Sequence, residues 1–253
     1  MRIASLSPAV TEILFSFGIG NQIVCTDQFS NFPEDAKHIP HLRDHVKIDP
    51  KDLAEHKVDL VFTCTSIQTK LCESLRTAGY SVIHEDPRTV HEIYAFIRNV
   101  GVVVGCEKRA EELVLTMQRE FNGVKEKAVH LPRHPRVYIE EWNNPPYASG
   151  NWVPEVARMA GCQQFPVEPR ALSPQVSLEQ VMAHDPDFIV LSLCGAGDRI
   201  EKKIITERPG WEELRAIREG KVRIIDDSLL NRPGPRLTEG ARRLYGWAFE
   251  LLH

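Results

Sequence analysis

No stretch of the chain approaches the ~18 consecutive apolar residues that a membrane-spanning helix requires, so insertion into a bilayer is not expected. Surplus positive charge is missing as well. Lys+Arg number 31 against Asp+Glu 35, a net charge of −4, which removes any global electrostatic reason to bind nucleic acid. Cysteine is sparse and scattered: Cys25, Cys64, Cys72, Cys106, Cys162 and Cys194 include no CxxC and no close pair. That pattern excludes a disulfide framework and makes buried free thiols the default, except for Cys64 and Cys194 at the ends of apparent strands. The opening Met1-Arg2-Ile3-Ala4-Ser5-Leu6-Ser7-Pro8 lacks a basic region, a long apolar stretch and a small-residue cleavage site. Read as it stands, it predicts a cytoplasmic protein. A leader removed from a longer precursor would instead place the chain in the periplasm or on a surface anchor.

The common catalytic signatures are absent too. There is no Gly-x-x-x-x-Gly-Lys-Ser/Thr phosphate loop, no Gly-x-Ser-x-Gly elbow and no His-Glu-x-x-His. Gly18-Ile19-Gly20-Asn21-Gln22-Ile23 lacks the third glycine of a dinucleotide fingerprint and follows a helix, not a strand. His38, His41 and His45 have helical spacing, but Pro40 lies among them, so no metal site is expected there.

What is present is a soluble composition, 42% apolar and 26% charged over 253 residues, arranged as an alternation of strands and helices. Arg2–Leu6, Gln22–Thr26, Val58–Thr63 and Ser81–His84 read as strands. Ser7 serves as a helix N-cap with Pro8 at the first helical position. Helices are expected over Ile67–Ala78, Thr89–Val104 and Glu107 to about Val129. The last would be on the order of 35 Å long and is stopped by Leu131-Pro132-Arg133-His134-Pro135. Strands then resume at Val137–Glu140, Phe188–Leu193 and Val222–Ile225, with helices at Trp152–Met159, Val176–Ala183 and Arg236–Leu252. The expected fold class is α/β, with two Rossmann-like lobes of mainly parallel sheets, residues 1–106 and 134–253. One long inter-lobe helix, 107–133, joins them.

The unusual residues fall just after strands, where parallel sheets bind ligands, which points to a cleft between the lobes. Trp142 to Trp152 combines aromatics with amides, prolines and a glycine, the mixture suited to a flat amphipathic ligand. Apolar faces are expected from Phe29, Trp142, Tyr147 and Trp152, although Trp142 and Trp152 could instead plug the second core. Polar groups are expected from Ser7, Asp27, Thr65, Asn144, Ser149, Asn151, Asn231 and Arg232, while Arg43, Thr63, Cys64 and Cys194 complete the lining. Asn231 to Arg236 reads either as a rigid turn or as a pair of arginines for a carboxylate or phosphate. Glu140-Glu141 and Asp226-Asp227 are adjacent on strands, so each pair offers one carboxylate to a cleft.

The segments Ser5-Leu6-Ser7-Pro8-Ala9-Val10-Thr11-Glu12, Ser30-Asn31-Phe32-Pro33, Asn144-Pro145-Pro146-Tyr147-Ala148-Ser149-Gly150 and Val176-Ser177-Leu178-Glu179-Gln180-Val181 resemble the cobalamin-binding proteins of ABC importers. These belong to the helical-backbone (class III) substrate-binding family, which also carries siderophores and haem. The resemblance implies a non-enzymatic protein with no catalytic cofactor, holding a cobalamin-like corrinoid between two lobes. His41 and Cys194 are the only side chains it would offer to the cobalt. It also implies docking on an ABC permease through one acid per lobe. Glu179 fits the second position, but Thr69 stands at the first, which puts the permease in doubt. Thr63 and Ser173 stand where two cleft tryptophans are expected. The alternatives are a siderophore or haem ligand on the same fold, or a lyase-like cleft enzyme using Cys194 and Glu141 on a cofactor-sized substrate.

Overall fold

The computed structural model describes residues 1–253. The chain forms two compact units, Met1–Pro87 with His91–Leu115, and Arg88–Val90 with Thr116–His253.

The first unit is built on a four-stranded parallel sheet. Its strands are β1 (Ile3–Ser5), β2 (Ile23–Thr26), β3 (Leu60–Cys64) and β4 (Val82–Glu85), in the order β2-β1-β3-β4. All five residues of β3 are buried, as a central parallel strand covered on both faces requires. Helices α1 (Pro8–Ser16), α2 (Pro50–Ala54) and α3 (Thr69–Thr77) alternate with these strands. Leu6, Leu53, Val61, Leu71 and Leu75 pack together in the core. Ser7 has the extended backbone of an N-cap, φ −145°, but its side chain makes no capping bond. Instead its hydroxyl meets the Cys64 thiol.

Helix α4 (Val90–Val104) is followed by α5 (Glu107–Ala128). A Cβ on Gly101 would stand 2.4 Å from the Ala110 Cβ, so the close approach of these helices needs glycine there. Arg98 bonds Glu111 across the pair at 2.7 Å.

The second unit has a mixed sheet. Strands β5 (Arg136–Asn143), β6 (Pro146–Ala148), β7 (Gln163–Gln164), β8 (Phe188–Leu191) and β9 (Val222–Ile224) run in the order β6-β5-β8-β9, with β7 also on β5. Only β5–β6 is antiparallel. Helices α6 (Val153–Met159), α7 (Leu178–His184), α8 (Lys203–Thr206), α9 (Arg215–Arg218) and α10 (Leu237–Leu252) complete it. Tyr138, Phe165, Ile189, Leu191 and Trp211 lie in its core. The expected loop after Glu140 is in fact three more residues of strand and a hairpin. Pro146 fits there because β6 is an edge strand, which tolerates a missing donor. Short β7, α8 and α9 carry too few residues for a visible period. No helix is long and apolar enough to cross a membrane.

At the amino ends of β5 and β8, Asp187 accepts hydrogen bonds from Arg133 at 2.7 Å, the Arg136 N–H at 2.8 Å and Arg215 at 3.1 Å. Burial pushes its carboxyl up, but these bonds outweigh it and hold the pKa at about 2, below the ordinary 3.8. A carboxylate depressed on folding stabilises the fold above its unfolded pKa and loses that contribution as pH falls through the folded value. Asp187 is therefore expected to contribute about 2 kcal/mol at neutral pH, lost between about pH 4 and pH 2. Chemical denaturation at several pH values checks this. Asp187→Asn should be less stable at pH 7 and lose less stability than wild type across that window.

Candidate functional site

In the first unit, the carboxyl ends of β1, β2 and β3 gather most of the residues expected there. Several of them support the loops and do not face outward. Asp27 is fully buried: Oδ1 accepts the Phe29 N–H at 2.6 Å and Oδ2 accepts the Ser30 hydroxyl at 2.8 Å. A hydroxyl chain continues through Thr11 to Ser5. Phe29 is half-buried, its ring edge-on to His45 with centroids 4.9 Å apart. Thr63 is buried against His84 Nδ1 at 2.9 Å. Cys64 is buried, and desolvation pushes its thiol well above the ordinary range. Ser7 is buried as well. Thr65 and Arg43 retain access to solvent, half-buried and exposed respectively.

Gln68 went unrecognised in the sequence. It is 3% exposed. Its Nε2 donates to the carbonyls of Leu6 and His45, each at 2.6 Å, and its Oε1 accepts the Cys64 N–H at 2.8 Å. The only signal for it was a polar residue where a helix begins.

In the second unit the site is organised by a β-bulge. Glu140 pairs with Ala148, but Trp142 pairs with Tyr147, so Glu141 is the extra residue. Because Tyr147 and Ala148 point to opposite faces, the bulge also sets Glu140 and Trp142 on opposite faces. Glu140 is 0% exposed, bonded by both Arg208 nitrogens at 2.7 and 2.9 Å and by the Tyr138 hydroxyl at 3.0 Å. Trp142 is 49% exposed. Its indole N–H donates to the Asn144 carbonyl at 3.0 Å, so the ring is held within its own hairpin, across from half-buried Tyr147. Direct cross-strand partners share one face. Asn144 is exposed.

Trp152, expected to offer a ligand face, is 3% exposed and donates its indole N–H to the Leu230 carbonyl at 2.7 Å. It is a core residue, because helix α6 buries the side chain that precedes it. Ser149 is fully buried. Asn151 has φ +53° and accepts from Arg88 at 3.0 Å. Asn231 is committed internally: its Nδ2 donates to the Ser192 carbonyl at 2.7 Å and to Cys194 Sγ at 3.2 Å, and its Oδ1 accepts the Ser192 hydroxyl at 3.0 Å. Arg232 is half-buried, and Arg236 bonds the Ser228 hydroxyl at 2.8 Å. The Cys194 loop wraps Asp227, which accepts the N–H groups of Gly195 at 3.1 Å and Gly197 at 2.8 Å. Both glycines have positive φ, 75° and 62°.

Cys194 and Glu141 lie against each other, and Ser173 donates to Glu141 at 2.6 Å. Burial pushes the Glu141 carboxyl up, against hydrogen bonds from Ser173 and Cys194. Cys194 is exposed as a residue, yet desolvation around its sulfur, then the Glu141 and Asp227 carboxylates, push its thiol up. A thiol held in its protonated form is the reverse of an activated nucleophile. No three His, Cys, Asp or Glu side chains converge as a metal site. His41 Nδ1 is engaged with the Thr26 hydroxyl and the Asp27 carbonyl.

Residues 3–229 match the family described as periplasmic binding protein. An ABC transporter substrate-binding lipoprotein of Bacillus subtilis, YvrC, is 27% identical over 96% of this chain and 78% of its own. A vitamin B12-binding protein of Pectobacterium atrosepticum is 24% identical over 99% of this chain and 89% of its own. Among solved structures, the periplasmic heme-binding protein RhuT of Roseiflexus superposes with a TM-score of 0.87 at 22% identity, covering 100% and 99% of the two chains. The periplasmic vitamin B12-binding protein BtuF of Vibrio cholerae gives 0.80 at 21% identity, covering 99% and 97%.

The two tryptophans should respond differently to truncation. Trp152→Ala is expected to cost about 3–5 kcal/mol in chemical denaturation, whereas Trp142→Ala should cost under about 1 kcal/mol because its ring is half in water. A large loss for Trp142→Ala would mean its ring supports the fold.

Proposed function

Because the chain belongs to the periplasmic binding protein family, the substrate-binding family of ABC transporters, we propose that it captures a cobalamin-like corrinoid without chemical turnover. The carboxyl-end loops of both sheets would carry the binding groups. The observation that carries this reading is the β5–β6 hairpin, where exposed Trp142 and its cross-strand partner Tyr147 present aromatic surface on one face. A large ligand with apolar faces and an amide rim suits this aromatic area with exposed Asn144 beside it, while Thr65 and Arg43 offer polar groups in the first unit. The similarity to proteins named as vitamin B12-binding, over nearly the whole chain, supports the corrinoid.

Delivery to a permease fits the same reading. Glu179 is exposed in the first turn of α7, behind a capping box of Ser177 and Gln180. Hydrogen bonds from the Ser177 side chain and its own backbone N–H hold its carboxyl below the usual range. It would therefore present a fixed negative charge at neutral pH. The family description and the B. subtilis lipoprotein favour the periplasm or a surface anchor over the cytoplasm.

Titration with cyanocobalamin, haem and a ferric siderophore, followed by absorbance and calorimetry, tests the ligand. Cyanocobalamin is expected to bind most tightly, and the Trp142→Ala, Tyr147→Ala double variant to weaken it roughly thirty-fold or more. Binding of none of the three, or tighter binding of haem or the siderophore, would overturn the corrinoid reading. An unchanged double variant would remove the hairpin from the site.

A further inference from the structure

The bonds made by Gln68 converge on residues that the fold places at three strand-end segments. Leu6 lies just past β1, Cys64 ends β3, and His45 belongs to the loop carrying Arg43. Both amide hydrogens and the amide oxygen are used, so the side chain can take one orientation only. Gln68 itself is fixed because it immediately precedes helix α3. His45, whose carbonyl it holds, lies edge-on to Phe29.

Between Cys64 and Gln68 stands Thr65, with φ +67° and ψ 156°. A β-branched residue on that side of φ/ψ space is strained and persists only where its surroundings overdetermine it. Here they do. The Thr65 N–H donates to the Glu85 carbonyl at 2.7 Å, and its own carbonyl accepts the Gln68 N–H at 3.0 Å. The Ser66 N–H donates to Asp86 Oδ1 at 2.9 Å.

We propose that Gln68 is a positioning residue for ligand binding: its amide preassembles the strand-end rim of the first unit and holds Thr65 in its strained conformation. Thr65, Phe29 and Arg43 then meet a ligand already placed, and the ordering cost of three segments is not charged against affinity. This rests on the reading that these loops bind the ligand.

The test compares wild type, Gln68→Glu and Gln68→Met. All are titrated with cyanocobalamin and followed by amide hydrogen exchange. Gln68→Glu keeps the acceptor for Cys64 but sets a carboxylate against two carbonyls, and it carries the test if Gln68→Met does not fold. Exchange is expected to quicken at residues 44–47 and 64–67, with affinity falling roughly ten- to a hundred-fold. Unchanged affinity overturns the proposal, and so does faster exchange spread evenly over the whole first unit, which is what a merely structural amide would give. If wild type binds no cyanocobalamin, the corrinoid reading falls and exchange decides alone. Faster exchange at 64–67 then supports the clamp, and unchanged exchange overturns it.

Discussion

Strand β5 alternates its side chains between two faces until Glu141, where one extra residue reverses the order. The second unit's candidate site follows from that reversal. Without it, Trp142 would share a face with Glu140, whose carboxylate is buried against Arg208 and Tyr138. With it, the ion pair stays inside while the indole emerges beside Tyr147. The pair in turn enforces the register. Slipping β5 by one residue would carry the Glu140 charge away from Arg208 and leave both desolvated without a partner, a cost of several kcal/mol. Arg208 also lies 4.2 Å from the centre of the Trp211 ring, which ties the pair to the core.

The two units support their strand-end loops by different means. In the first, one buried amide reaches three segments. In the second, the Asp227 carboxylate gathers the backbone of the Gly195–Gly197 loop, and Asn231 closes on Ser192 and Cys194. Both arrangements use the hydrogen-bonding capacity of buried polar groups on the protein itself, which leaves the exposed rim to aromatic rings, an arginine and short polar side chains. That division suits a binding protein, whose affinity depends on surfaces fixed before the ligand arrives. Desolvation around the Cys194 sulfur, and after it the acidic groups beside it, favour the protonated thiol.

Much of the fold was legible in the sequence because the parallel strands are short, apolar and separated by amphipathic helices. The resemblance carried by the Ser5–Glu12 and Asn144–Gly150 segments extended that reading to the family. Periodicity could not show the bulge at Glu141, since a single inserted residue changes facing without changing composition. The stretch after it therefore read as a loop, and Trp152 read as a ligand face. Ser7, Asp27, Thr63, Cys64, Ser149 and Asn231 stand at or near strand ends, yet burial or internal bonds commit them to support. Position along a strand can be read from one dimension, whereas the partner of a polar side chain is set by segments far away in sequence. Gln68 was missed for the same reason: two of its three bonds go to residues 23 and 62 positions away.

The central claim is that the carboxyl ends of the strands, and not their amino ends, carry the ligand. Amide hydrogen exchange of the wild-type protein with and without saturating cyanocobalamin tests it most directly. The account predicts slower exchange at residues 63–67 and 142–151, with no change at 133–136 and 185–187 at the opposite ends of β5 and β8. Protection confined to the amino-end segments, or spread evenly over both ends, would contradict it.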